Sequence, residues 1–170
     1  MEFTFVTDYN QKAMTTMARV LRKTIRKKRN LLSHIFGWVV IVLGVFLTWD
    51  GLNLDFRRIV TWLAILLIAA VLIWEDKLNG YIALKRILPG TNRATSVFNE
   101  DAFSSTTEVG KTEWNYEKIV ALAETKEYFV FIFSASHAQV YDKRSLSGGK
   151  ANDFREFIED KTRKRVLQIS

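Results

Sequence analysis

The sequence contains two long apolar stretches: residues 31–49, LLSHIFGWVVIVLGVFLTW, and residues 59–74, IVTWLAILLIAAVLIW. As helices they extend about 28 and 24 Å, close to the bilayer hydrocarbon thickness of about 30 Å. Neither contains Asp, Glu, Lys or Arg, and neither has the polar stripe of a core helix in a soluble bundle. The sequence therefore predicts two transmembrane helices. The short linker at residues 50–58 makes them an antiparallel hairpin.

The formal charge of +7 is concentrated before the first apolar stretch. Residues 1–30 carry eight basic and two acidic side chains, whereas the linker has Arg57 and Arg58 balanced by Asp50 and Asp55. Because Lys and Arg are enriched at the cytoplasmic ends of membrane helices, both termini are predicted to be cytoplasmic. No small-residue cleavage site follows the first stretch, so we expect that helix to be retained.

Residues 1–30 predict a strand and a basic amphipathic helix. Residues 2–6 alternate as in a strand, which could join a sheet formed by the C-terminal part, and a helix follows to about Asn30. Its apolar stripe and its position beside a membrane span predict an interfacial helix that contacts anionic lipid. A nucleic acid partner is not expected, because no aromatic side chains interleave with the basic ones. The stripe contains Met14, Met17, Leu21 and Ile25, and the candidate headgroup contacts are Arg22, Arg26, Lys27, Lys28 and Arg29.

Small residues in the hairpin predict where its helices approach each other. Gly37 and Gly44 are seven residues apart and share one helical face. Close helix packing in lipid uses such residues. On the second helix, Ala64, Ala69 and Ala70 offer small surfaces.

The part after the hairpin predicts a small β domain. A helical connector at residues 75–90 ends at Pro89 and Gly90. Six short runs rich in Val, Ile, Thr and aromatic residues follow at a spacing typical of an antiparallel sheet or barrel. Asp153 is expected to cap a last helix that runs to about Lys164 and closes the barrel. The six runs are residues 95–99, 102–108, 111–116, 119–124, 128–133 and 138–142, within a domain of residues 94–170.

The fold class predicted is thus an α+β membrane protein. It combines a two-helix transmembrane hairpin with a small antiparallel β-barrel of pleckstrin-homology-like type. The predicted divisions are residues 1–30, 31–74, 75–90 and 94–170.

Several motifs, read in this order, resemble the YcxB-like family of bacterial membrane proteins. They are a strand with Phe3 and Phe5, a basic helix, a two-span hairpin, FNED at residues 98–101, ETKEYF at 124–129, the pair Lys143 and Arg144, and DFREFI at 153–158. One departure is Asp142, where the family commonly has proline. The resemblance implies a bacterial inner-membrane protein with a cytoplasmic pleckstrin-homology-like domain, and it implies no activity.

The residue types required for catalysis are sparse. The absence of cysteine excludes a thiol nucleophile and a cysteine-ligated metal site, and His34 and His137 are the only histidines. Residues 147–150, SGGK, lack the remaining residues of a phosphate-binding loop. No catalytic, cofactor-binding or metal-ligating residue is therefore predicted, and no enzymatic activity is expected. Lys143, Arg144 and Lys150 are further candidates for contact with an anionic headgroup.

We expect a membrane-anchored, non-enzymatic binding module whose partner is a protein or a lipid headgroup. An alternative is an immunity or stress-protection protein that acts through its hairpin. A homo-oligomer is a further option, although a conducting pore is disfavoured because the spans contain no charged residue.

Overall fold

One strand and three helices make up the N-terminal half of the chain. The computed structural model describes residues 2–49 and 55–169; residues 50–54 of the predicted linker lie outside the described part. Strand β1 spans Phe3–Asp8, helix α1 Gln11–Lys23, helix α2 Lys27–Leu47 and helix α3 Phe56–Lys85. Helices α2 and α3 are each long and apolar enough to cross a membrane. The basic helix predicted to reach Asn30 is interrupted, because Thr24 leaves the helical conformation with φ −108° and ψ −95°.

Helix α3 contains the second apolar stretch and most of the predicted connector, residues 75–85 of 75–90. Its backbone departs from helical geometry at Trp74, with φ −103° and ψ 16°. This kink coincides with the last residue of the apolar stretch, and the polar part of α3 continues to Lys85. The change of composition at Trp74 therefore marks a change of direction within one helix.

Helices α2 and α3 pack through two glycines, as predicted. A Cβ atom added to Gly37 would lie 2.8 Å from Cδ1 of Leu72, and one added to Gly44 would lie 2.9 Å from Cδ1 of Ile65. Since Gly37 faces the later residue of α3 and Gly44 the earlier one, the two helices run antiparallel. The partners of the glycines are these large side chains, and the predicted Ala64 is exposed. Each glycine thus leaves a gap on α2 that a large side chain of α3 fills.

Seven strands, one α-helix and two short 3-10 helices, Tyr116–Lys118 and Lys143–Ser145, make up the described C-terminal part. The strands β2 to β7 lie at the six predicted positions, whereas β8 was not predicted and pairs parallel to β5. The elements are β2 Arg93–Phe98, β3 Ala102–Thr106, β4 Lys111–Asn115, β5 Ala121–Glu124, β6 Tyr128–Ile132, β7 Ala138–Asp142, α4 Ala151–Thr162 and β8 Val166–Gln168. Within the described residues the fold is therefore α+β.

Strand β1 is part of the C-terminal sheet structure, as hypothesised from the sequence. The strands form two four-stranded sheets, ordered β1-β2-β3-β4 and β7-β6-β5-β8. Strand β1 pairs antiparallel with β2, with Phe3 opposite Phe98. It also contacts the second sheet, because the hydroxyl of Thr7 accepts a hydrogen bond from the backbone N–H of Asp142 in β7 at 3.1 Å. The backbone groups of Thr4 and Ser147, in the segment after β7, exchange hydrogen bonds of 3.0 and 2.9 Å. The domain predicted at residues 94–170 thus receives a strand from the other end of the chain.

An aromatic core fills the space between the two sheets. Phe5, at its centre, lies 4.7 Å from the ring of Phe154 and 5.7 Å from those of Phe98 and Tyr141. Phe154 belongs to α4, so this helix closes the core from one side. Edge-to-face geometry dominates these contacts, as expected for aromatic rings in a packed interior.

The outer face of the second sheet is covered by α1. Strand β6 is buried along its whole length, with Phe129 and Phe131 in the aromatic core and the alternate residues facing α1. The side chains Val20 and Leu21 pack on this face, and Met17 lies against it. The prediction of an interfacial helix is therefore corrected, because the apolar stripe of α1 is buried on the sheet. Of the predicted stripe, only Ile25 is substantially exposed.

Candidate functional site: the junction between the apolar helices and the β domain

A cluster of polar side chains joins α1, α2 and α3 where the apolar part of α3 ends. Arg22 of α1 donates two hydrogen bonds to the carboxylate of Asp76, from Nε at 2.6 Å and from Nη2 at 2.7 Å. The adjacent Glu75 lies 2.8 Å from Nε2 of His34 on α2. Arg19 adds a weaker contact to Asp76 at 3.5 Å. Hydrogen bonding to Asp76 raises the pKa of Arg22, so this guanidinium stays charged.

The backbones of α1 and α3 are also in close contact beside this cluster. A Cβ atom on Gly80 would lie 2.6 Å from the backbone nitrogen of Thr15. The side-chain amide of Gln11 donates to the carbonyl oxygen of Lys77 at 3.1 Å. Because α1 is also packed on the β domain, these contacts hold the apolar helices and the domain in one arrangement.

A buried carboxylate organises the other side of the domain. The Glu124 side chain is only 3% exposed. It accepts hydrogen bonds from Nε and Nη2 of Arg155 at 2.6 and 2.9 Å and from Nε2 of Gln168 at 2.8 Å. The ammonium group of Lys143 forms a third contact and lies 4.9 Å from the ring centre of Phe129. Four separate elements, β5, the turn after β7, α4 and β8, are thereby connected.

The charge state of Glu124 follows from these contacts. Burial by itself would raise its pKa, but the hydrogen bonds from Arg155, Lys143 and Gln168 outweigh that effect and hold the pKa at about 2. A general acid or base needs a pKa near the working pH. Glu124 is therefore a permanently ionised structural group at neutral pH.

A cleft of about 550 Å³ lies between α1, the polar part of α3 and the β5–β6 turn. Its cations come from three elements: Lys12 and Arg19 from α1, Lys77 from α3 and Lys126 from the turn. Glu127 is its one acidic lining residue, and it pairs with Lys12 at 2.6 Å. The remaining lining residues are Gln11, Thr15, Thr16, Thr125, Tyr128 and Ile169. The cleft thus combines net positive charge with several hydrogen-bonding groups.

The β domain carries the feature that relates this chain to known proteins. Residues 98–158 match the family model of YcxB-like protein. The resemblance seen in the sequence is confirmed over this part. The YcxB-like segment runs from the end of β2 into α4, and it contains three of the four residues of the buried cluster, Glu124, Lys143 and Arg155. No curated protein and no solved structure gives a significant match to the chain.

Within the YcxB-like segment, two predicted headgroup contacts are engaged by carboxylates. Lys143 binds the buried Glu124, and Arg144 forms an ion pair of 2.6 Å with Asp142. The same pairing gives a structural role to Asp142, the residue at which the sequence departs from the pattern expected from the resemblance. Its carboxylate also accepts a hydrogen bond from the backbone N–H of Arg144 at 2.9 Å, which fixes the turn that proline would otherwise restrict.

The other six predicted headgroup contacts fall into two groups: two are held by hydrogen bonds within the protein, and four are exposed. Arg22 is held by Asp76, and Nε of Arg26 donates to the carbonyl oxygen of Ala135 at 2.6 Å. The side chains exposed to solvent are Lys27, Lys28 and Arg29 at the start of α2 and Lys150 before α4. The structure therefore does not gather the eight residues into one site.

Sequence reasoning missed the cleft cations Lys12, Lys77 and Lys126. No local pattern joins them, because 49 residues or more separate each from the next along the chain. Among residues 2–49 and 55–169 there is no group of three potential metal ligands. His137 stacks on Trp114 with ring centres 5.5 Å apart, in a turn in which its backbone N–H donates to Ser134.

Proposed function

We propose that this chain is an integral protein of the bacterial inner membrane, with α2 and α3 as a two-pass transmembrane hairpin. The observation that carries the proposal is the exposure of the hairpin. Only 11% of the most apolar 18-residue window of α2 and 6% of that of α3 is buried inside the protein. A core helix of a soluble protein would be mostly buried, and exposed apolar patches of this size mark membrane or protein contacts.

Large apolar side chains cover the hairpin on all sides. Phe46 and Leu47 are 75% and 77% exposed, and Trp38, Trp49, Trp62 and Trp74 are also exposed. At about 25 cal/mol per Å² of apolar area, exposure of this surface to water would cost many kcal/mol. A bilayer removes that cost, and Trp49 and Trp74 stand at the ends of the two apolar stretches, where indole rings favour the headgroup zone.

Charge supports an orientation with both termini in the cytoplasm. The basic residues from Arg19 to Arg29 precede α2, and Lys77, Lys85 and Arg86 follow the kink of α3 at the same end of the hairpin. The opposite end has Arg57 and Arg58 together with Asp55. Because the positive-inside rule counts Lys and Arg close to the spans, the β domain belongs on the cytoplasmic side.

On this arrangement the β domain is a non-enzymatic binding module of pleckstrin-homology-like type. Two sheets closed by the amphipathic helix α4 support that fold type. Support for binding comes from the basic cleft, which lies where the domain meets the hairpin. The low pKa of Glu124 removes the most buried carboxylate of the domain from acid–base chemistry at neutral pH.

The absence of cysteine makes topology directly measurable, because each introduced cysteine is the only thiol. Asp55→Cys and Lys150→Cys should be tested in intact spheroplasts with a membrane-impermeant maleimide. We expect labelling of Asp55→Cys in intact spheroplasts, and of Lys150→Cys only after lysis. Labelling of both positions from the same side, or release of the protein by alkaline carbonate, would overturn the proposal.

Exchanging the hairpin while keeping the β domain distinguishes the binding module from a protein that acts through its hairpin. Replacing α2 and the apolar part of α3 with an unrelated hairpin of equal length should preserve any function of a binding module. An immunity or stress-protection role that depends on the hairpin sequence would be lost in the same exchange.

A further inference from the structure

Two of the four cations in the basic cleft are already neutralised by carboxylates. Lys12 pairs with Glu127 at 2.6 Å, and Arg19 lies 3.5 Å from Asp76. Within the part of the chain that the structure describes, the ammonium groups of Lys77 and Lys126 have no ion-pair partner, and both side chains are exposed. The cleft therefore presents two uncompensated positive charges from two elements that are distant in sequence.

The position of the cleft relative to the membrane can be derived from the kink of α3 at Trp74. Lys77 is three residues after Trp74, so it lies about 4.5 Å farther along the helix. The headgroup region adds roughly 5–7 Å on each side of the hydrocarbon core. If the apolar part of α3 ends at the membrane boundary, Lys77 and the adjoining cleft lie at the level of the lipid headgroups.

We infer that the cleft binds the phosphodiester of an anionic phospholipid, with Lys77 and Lys126 as the charged contacts. Ammonium groups bind phosphate oxygens as point charges without strict geometry. The hydroxyl groups of Thr15 and Thr16 line the same cleft and offer hydrogen bonds to the remaining oxygens. This inference rests on the proposed membrane insertion of the hairpin, and it deepens it by naming the ligand class and the site.

The site differs from a diffuse attraction of the basic N-terminal segment to the bilayer. Lys27 and Lys28 at the start of α2 are also exposed and also lie beside a span, but they do not line the cleft. They provide a matched control, because the double variants Lys77→Gln/Lys126→Gln and Lys27→Gln/Lys28→Gln remove equal charge from the same side of the membrane.

The test uses the full chain in mild detergent and native mass spectrometry. Dioleoyl phosphatidylglycerol and dioleoyl phosphatidylcholine serve as probes at equal concentration. We expect one preferentially bound phosphatidylglycerol per chain. The Lys77→Gln/Lys126→Gln variant should lose about 25-fold in its affinity, since each basic residue near an anionic surface gives roughly a fivefold gain. The Lys27→Gln/Lys28→Gln variant should change by less than about threefold if the charges act only diffusely.

Competition and extraction distinguish the other outcomes. Inorganic phosphate at millimolar concentration should not displace the lipid; full displacement would identify a free-phosphate site and overturn the lipid assignment. Two outcomes would overturn the inference and leave the membrane proposal intact, provided that the protein resists extraction by carbonate. One is an equal loss of phosphatidylglycerol affinity in both double variants, and the other is no preference for phosphatidylglycerol over phosphatidylcholine. Release by carbonate would instead overturn the membrane proposal. Far-ultraviolet circular dichroism confirms that each variant is folded.

Discussion

Replacing Glu124 by glutamine tests whether the buried carboxylate stabilises the β domain. The substitution keeps the side-chain volume but leaves Arg155 and Lys143 without their counter-charge. The difference between the usual pKa of 4.5 and a value of about 2 corresponds to about 3 kcal/mol. Removal of one partner of a buried ion pair typically costs a similar amount, about 3–5 kcal/mol. We therefore expect a loss of about 3 kcal/mol at neutral pH.

The sign of the pH dependence follows from the lowered pKa. Because the folded state holds the proton less tightly than the unfolded state, the stabilisation is complete above about pH 4.5 and is lost as the pH falls towards 2. Thermal unfolding of the full chain in mild detergent should show a melting temperature lower by roughly 10 °C for Glu124→Gln at pH 7. That difference should narrow steadily between pH 4.5 and pH 2.

A matched variant gives the baseline. Glu113→Gln removes an exposed carboxylate from strand β4, and its melting temperature should change by less than about 2 °C because surface substitutions have small effects. Equal melting temperatures for Glu124→Gln and the wild type at pH 7 would refute the reasoning. A difference that stays constant down to pH 2 would show that packing, and not charge, is responsible.

Two further predictions concern packing. Phe5→Ala should destabilise the domain by about 3–5 kcal/mol, because Phe5 is fully buried in the aromatic core. The control is Phe56→Ala, whose side chain is 78% exposed and whose loss should leave the melting temperature of the domain unchanged. Similar melting temperatures for the two variants would show that β1 is dispensable. Gly80→Ala should destabilise the contact between α1 and α3 by about 1–3 kcal/mol, since its Cβ would lie 2.6 Å from the Thr15 backbone, and hydrogen exchange of α1 should accelerate. Gly110→Ala, with no heavy atom within 4 Å of the added Cβ, is its control, and equal exchange rates in both variants would contradict the packing argument.

The strands of the C-terminal part were predictable because their sequence signals are local. Val, Ile, Thr and aromatic residues alternate with turn residues, and β2 to β7 appear at the predicted positions. Strand β8 was missed because it has only three residues, and it forms by parallel pairing with β5 after Arg163 adopts a left-handed conformation with φ 54°. A pairing of this kind depends on the position of α4, which no local pattern encodes.

The candidate headgroup residues show the limit of reasoning from charge. Lys143 and Arg144 are adjacent and basic in the sequence, but carboxylates of the YcxB-like segment hold both. Lys77 and Lys126 have no such pattern, yet folding places them on one cleft. Four expectations from the sequence stay predictions. They are that the protein is not an enzyme, that it does not bind nucleic acid, that it binds a protein partner, and that it forms a homo-oligomer.

Sequence reasoning predicted the two apolar helices, their packing through Gly37 and Gly44, and the positions of strands β2 to β7 along the chain, since each depends on composition or on short-range periodicity. The surface on which the apolar stripe of α1 packs could be identified only in the folded protein. A stripe at helical spacing shows that a helix buries one face, but it carries no information about the surface that covers this face. In the folded protein, the face of β6 that carries Tyr128, Val130 and Ile132 is covered by α1. The surface that buries the stripe is therefore the β domain and not the membrane.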